Sequence, residues 1–182
     1  MKNKMWKKQM NIKNDQIIDH ITGKELPWAG AEANRQEVET VLLKNDFDKK
    51  DIKVDLPVSF DIDGTLYKSF FDLVIFVGQS PALIIKCVAG SLDSCKMEVI
   101  AAARIVDNGP APFAAASDGK ESLIWRTCDG ELLKSGKNAL FNKTEIEQSI
   151  NREDSSPLSK KDYRKACLVF RTYDAANVHK KQ

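Results

Sequence analysis

Phe70-Phe71-Asp72-Leu73-Val74-Ile75-Phe76-Val77 and Ala82-Leu83-Ile84-Ile85-Lys86-Cys87-Val88 are two apolar runs separated by the turn signal Gly78-Gln79-Ser80-Pro81. Both are strand-length and apolar on both faces, which predicts two central strands joined as a hairpin. Each carries one charge, Asp72 in the first and Lys86 in the second. Buried charges need a partner or a task. Counting back from the turn places Asp72 within about a residue of cross-strand register with Lys86.

Working outward, Ile52, Val54, Leu56, Val58, Phe60 and Ile62 alternate with Lys53, Asp55, Pro57, Ser59 and Asp61. That period predicts a half-buried antiparallel strand, with Pro57 marking an edge. Asp63-Gly64 turns it into the first apolar run. Upstream, Val38, Val41 and Leu42 predict a helix from Glu32 to about Lys44. Gln16–Ile21 reads as a short helix or turn. Downstream, Leu92, Cys95, Val99, Ala102, Ala103 and Val106 trace one helical face, with Ser91 as its expected N-cap. Phe113–Ala116 reads as a strand parallel to its neighbour, because a helical crossover precedes it. Leu123–Thr127 and Glu131–Leu133 form a hairpin about Asp129-Gly130. Thr144 with Glu147 predicts a capped helix to about Asn151, and Ser159 with Asp162 another to about Phe170. The order is helix, three antiparallel strands, helix, strand, then an extra hairpin and C-terminal helices: an α/β or α+β domain. The expected division is an arm over 1–30, a core over 31–136 and a helical extension over 137–182.

The chain has 182 residues, 42% hydrophobic and 30% charged, with a net charge of +2. The core is ample, but this charge does not by itself argue for nucleic acid. No CxxC pair occurs among Cys87, Cys95, Cys128 and Cys167, which argues against a zinc site. Three of these lie in apolar stretches and read as core residues in a reducing, cytoplasmic setting. No apolar run approaches the ~20 residues of a membrane helix, and no apolar segment of a secretory leader follows the basic N-terminus.

Several stretches together resemble the N-terminal domain of the R subunit of type I restriction enzymes. Asp19-His20-Ile21-Thr22-Gly23-Lys24-Glu25-Leu26-Pro27 is similar to the leader of small stand-alone members. Glu32-Ala33-Asn34-Arg35-Gln36 is similar to the first-helix pattern. Asp72-Leu73-Val74-Ile75-Phe76 matches the metal-binding aspartate strand, and Ile84-Ile85-Lys86 stands in the place of (D/E)xK. Gly90-Ser91-Leu92 and Ser117-Asp118-Gly119 also fit. The resemblance implies a restriction-endonuclease-like PD-(D/E)xK core and Mg²⁺-dependent phosphodiester hydrolysis on DNA. It implies Asp72 and Glu32 as metal ligands, with Lys86 as the catalytic lysine. A hard cation polarises phosphate and lowers the pKa of its water, while a lysine orients that water or stabilises developing charge. Ile84 replaces the motif's second carboxylate and cannot bind Mg²⁺, which takes oxygen ligands. Glu98 and Asp61 are the acids that could stand in. The competing expectation is a non-catalytic domain that binds nucleic acid or a partner protein. A third arises because Phe60-Asp61-Ile62-Asp63-Gly64-Thr65-Leu66 is similar to the nucleophile motif of haloacid-dehalogenase-type phosphatases. Asp61 and Asp63 would carry that chemistry, but the motif should end a parallel strand, and the alternation before it indicates an antiparallel one.

Overall fold

A computed structural model describes residues 16–27, 30–107, 109–153 and 156–178. The basic N-terminus, Trp6 and Trp28 lie outside them. Twelve elements follow in order: β1 (Gln16–Ile18), β2 (Glu25–Pro27), α1 (Gly30–Lys44), β3 (Ile52–Ile62), β4 (Thr65–Val77), β5 (Ser80–Cys87), α2 (Lys96–Ile105), β6 (Phe113–Ser117), β7 (Glu121–Arg126), β8 (Leu132–Lys137), α3 (Lys143–Ile150) and α4 (Lys160–Val178). One six-stranded sheet has the order β3-β4-β5-β6-β7-β8. Only β5 and β6 run parallel; every other neighbouring pair is antiparallel. The expected edge strand, central hairpin, crossover and second hairpin are all present.

Helices cover both faces. On one, Val38 and Leu42 of α1 and Ile146 of α3 pack on Leu73, Ile75, Leu83, Ile85, Phe113 and Ile124. On the other, Val99 and Ala101–Ala103 of α2, with Ala166, Cys167 and Phe170 of α4, pack on Val74, Ile84, Ala114, Ala116 and Trp125. Alanines on both sides of the α2–β6 contact let the helix lie close to the sheet.

The outer hairpin departs from simple alternation. Ile52 and Val54 belong to the α1 face, whereas Val58, Phe60 and Ile62 belong to the α2 face, with Leu56 packed against them. The partner strand does the same: Leu73 and Ile75 face α1, while Phe71 and Tyr67 face α2. The ladder pairs Val54 with Leu73 and Leu56 with Phe71 but skips the pair between them, Asp55 and Asp72. Asp55 has φ 47°. A left-handed residue in an otherwise extended strand bends it, and Asp tolerates that conformation better than most. The hairpin therefore rolls from one core to the other at Asp55/Asp72.

Three local expectations are corrected. Gln16–Ile18 is a strand, not a helix, because buried Ile17 pairs with Leu26 across a turn closed by Asp19 and Gly23. Ser91 does not cap α2: a short 3₁₀ turn over Asp93–Cys95 intervenes, and the Ser91 carbonyl accepts from Ser94 Oγ at 2.7 Å. The capping box of α3 is Asn142 with Glu145, not Thr144 with Glu147, since Asn142 Oδ1 accepts from Glu145 N at 2.8 Å and Glu145 reaches back to Asn142 N at 2.9 Å. Ser159 does open α4, its Oγ accepting from Asp162 N at 3.1 Å, and that helix continues past Phe170 to Val178.

Candidate functional site

Leu73 stands opposite Ile85, so the next step along the antiparallel pair sets Asp72 opposite Lys86. Both side chains fall on the α2 face, in line with Val74 and Ile84. Lys86 Nζ lies 3.7 Å from Asp72 Oδ2. The third member is Glu98, in the first turn of α2, whose Oε1 is 3.1 Å from Lys86 Nζ. Its side chain is 7% exposed, against 19% for Asp72 and 27% for Lys86. Burial alone would lower the lysine's affinity for its proton, but Asp72 and Glu98 outweigh it and push Lys86 up to about 12. The ammonium is thus charged across the physiological range. Asp72 Oδ2 also accepts the backbone N–H of Cys87 at 2.9 Å. Cys87 follows the last ladder pair of β5 with β4, so the carboxylate supplies an acceptor where the rolling strand no longer does.

The expected ligand Glu32 is not joined to this group. Its Oε1 accepts from Arg35 Nε at 3.0 Å, Arg35 Nη2 at 2.7 Å and Gln36 Nε2 at 3.0 Å. Among the described residues no hydrogen bond or ion pair links it to Asp72 or Lys86. Nor are Glu32 and Arg35 a solvated surface pair. Arg35 is 6% exposed and is clasped also by Asp19 at 3.2 Å and Asp55 at 2.8 Å. Burial opposes its charge, but Glu32 and Asp55 hold the guanidinium's proton more tightly than usual. Asp19 has its carboxyl pushed up by burial and, more strongly in sum, down by Thr22, Arg35 and Gln36. Beside them Glu39 is fully buried, and neither of its oxygens has a protein hydrogen-bond partner among the described residues. Burial and the neighbouring Asp19 push it up to about 8. This acid–arginine cluster was the feature sequence reading missed. Its members are spread over residues 19 to 55, and only Glu32, Arg35 and Glu39 share a helical spacing; Asp19 and Asp55 come from other segments.

Ile84 is 2% exposed and packed in the core. Asp61 is taken by the hairpin turn, accepting Gly64 N at 3.0 Å. Glu98 is thus the acid that joins the lysine. Arg104 of α2 does not join the group: it donates to the carbonyls of Thr127 and Cys128. Asp63 pairs with Arg164 at the tip of an antiparallel edge hairpin. The parallel strand that a phosphatase nucleophile at Asp61 requires is absent there. Trp125 is a core residue at 1% exposure. All four cysteines are free thiols; Cys87 and Cys167 are buried, whereas Cys128 is exposed.

A cavity touching Asp72, Lys86 and Glu98, walled by Phe70 and Phe170, holds about 10 Å³, room for roughly one water. A roomier cavity of about 430 Å³ lies at the β4–β5 turn, lined by Lys143, Asp51 and Glu147, and includes none of the predicted site residues.

Asp72 beside Lys86 at the mid-sheet end of a β-hairpin, followed by a helix and a parallel strand, is the arrangement the sequence pattern anticipated, and the structure adds Glu98 next to the lysine. The family model for the type I restriction enzyme R protein N terminus matches residues 30–134, more than half of the chain. The chain belongs to this family. The family is a PD-(D/E)xK-type nuclease domain, and the match spans α1 to β8, including Asp72, Lys86 and Glu98. Comparison with curated proteins gave no match, and comparison with solved structures gave none. Both C-terminal helices lie beyond the matched segment. Among the described residues no helix is long and apolar enough to cross a membrane.

Proposed function

We propose that this R-protein-type domain, with a restriction-endonuclease-like core over residues 31–136, is a Mg²⁺-dependent phosphodiesterase acting on DNA. In this reading Glu98 replaces the carboxylate lost at Ile84. The observation that carries the reading is the 3.1 Å approach of Glu98 to Lys86, on the same side of the sheet as Asp72. Among the described residues no group of three or more His, Cys, Asp or Glu is arranged to hold a metal. Mg²⁺ does not require one: it is commonly held by one or two carboxylates, with water and substrate phosphate completing its shell. Asp72 and Glu98 would hold the cation, and when bound it supplies positive charge to the phosphate and a more acidic water. Lys86 remains protonated and presents its ammonium to the attacked phosphate, where negative charge grows. Asp72 is fixed by the Cys87 amide, and Lys86 by the two carboxylates. Glu32 serves the Arg35 cluster in this reading.

The test is nicking of supercoiled plasmid in Mg²⁺ and in EDTA. Wild type should nick only with the cation, and Asp72→Ala, Lys86→Ala and Glu98→Gln should each lose the activity. Equal nicking by wild type and variants would mark a contaminant and discard the reading. The second reading, a domain that binds DNA or a partner protein without cutting, is favoured by one observation: the core-packed Ile84 in the motif position. It expects a salt-sensitive DNA shift with no cleavage.

A further inference from the structure

We infer that Arg35 and Asp55 are positioning residues for Asp72, acting as a clamp on the point where the outer hairpin rolls between the two cores. The inference rests on reading Asp72 and Lys86 as the working pair. The guanidinium of Arg35 is itself immobilised: Nε and Nη2 donate to Glu32, and Nη2 also to Asp19. Its remaining nitrogen, Nη1, reaches out to Asp55 Oδ2 at 2.8 Å. Asp55 is the left-handed residue at which β3 bends, and it stands across from Asp72 where the ladder skips a pair. The backbone at Asp72 therefore lacks the paired partner that its neighbours Phe71 and Leu73 possess. What fixes its direction is the bend opposite and the Asp72 carboxylate's own bond to Cys87 N. An arginine held by α1 determines where the bend sits, and so where the carboxylate aims.

The Asp55 side chain is 55% exposed. An ion pair of that exposure adds little to global stability. Its effect should be local, and a local readout separates positioning from general support. The Cys87 amide is such a readout, because its acceptor is Asp72 and not a strand. In the full chain, Asp55→Asn and Asp55→Gly both keep a residue that accepts positive φ while removing the anionic partner of Arg35. Native-state hydrogen exchange should show the Cys87 amide of both variants exchanging about tenfold faster, the factor equivalent to about 1.4 kcal/mol, while the Leu83 and Ile85 amides keep the wild-type rate. Asp72→Ala should give the same Cys87 signature. In the nicking assay, Asp55→Asn should lower kcat by a similar factor with KM for plasmid unchanged.

Unchanged Cys87 exchange in both Asp55 variants overturns the clamp, as does uniform acceleration along β5, which would mark a general loss of structure. If wild type does not nick, the nuclease reading fails, and the Cys87 amide still decides the clamp. If wild type nicks and Asp55→Asn nicks equally well, the clamp fails and the nuclease reading stands.

Discussion

Glu39→Gln should stabilise the protein at neutral pH, increasingly so as pH rises. Glu39 is fully buried with no protein hydrogen bond to its oxygens among the described residues, and its nearest cation, Arg35 Nε, is 3.7 Å away. Arg35 is already matched by Asp19, Glu32 and Asp55. A fourth anion there would be repelled, and the acid instead keeps its proton up to about pH 8, against 4.5 in the unfolded chain. The sign follows from linkage: between those two values the unfolded chain releases a proton that the folded chain retains, so stability falls as pH rises. Each pH unit costs about 1.4 kcal/mol, and the 2.5 units from 4.5 to 7 amount to ~3 kcal/mol. Glutamine resembles the protonated acid in shape and does not titrate. Urea unfolding at pH 5, 6, 7 and 8 should show the stability difference between Glu39→Gln and wild type growing by about 1 kcal/mol per unit and levelling off as pH approaches 8. Taking the difference cancels every group that titrates alike in both proteins. Parallel stability curves for the two would refute the reasoning, because they would mean that Glu39 ionises in the fold as freely as in the unfolded chain.

Lys86→Met should cost about 3 kcal/mol at pH 7, since it removes the ammonium that Asp72 approaches at 3.7 Å and Glu98 at 3.1 Å. Adding Glu98→Gln should recover part of the loss; urea unfolding that finds Lys86→Met as stable as wild type would count against the ion triad. Gly119→Ala should destabilise by at least about 2 kcal/mol, because an added Cβ would collide with Glu37 Cβ and φ is already +85°. Gly64→Ala, at φ +84° with open space around it, should lose only the backbone part, so thermal melts of the pair read the clash directly. Asn142→Ala should cost about 1 kcal/mol and Thr144→Ala almost nothing, a contrast in chemical denaturation that identifies the true cap of α3.

Much of the sheet could be read from periodicity. Ile52 to Ile62 alternate, Asp63-Gly64 and Gly78–Pro81 turn, and the two apolar runs had to be central. The turn placed Asp72 within about a residue of Lys86, and the irregularity between Ile75 and Phe76 supplies the one-residue shift that sets them opposite each other. Helix starts were harder: Asn142 and Thr144 both head plausible capping boxes two residues apart, and local sequence does not choose between them. Nor did alternation reveal that Val54 and Val58 serve different cores. Both lie on even positions of one strand, and only the left-handed Asp55 moves the later residues to the opposite face.

The sequence by itself determined the order of elements from α1 onward, the edge and central strands, and the approach of one carboxylate to one amine to within about a residue, because these depend on local period and chain reversal. Only the tertiary structure decided that Glu98 rather than Glu32 or Asp61 joins that pair. It also gathered Asp19, Glu32, Glu39 and Asp55 around Arg35. Both outcomes depend on how closely α1 and α2 lie on the sheet. Helix-to-sheet distance is set by side-chain volumes from distant segments, the alanines of α2 against those of β6 above all, and no window of adjacent residues contains it.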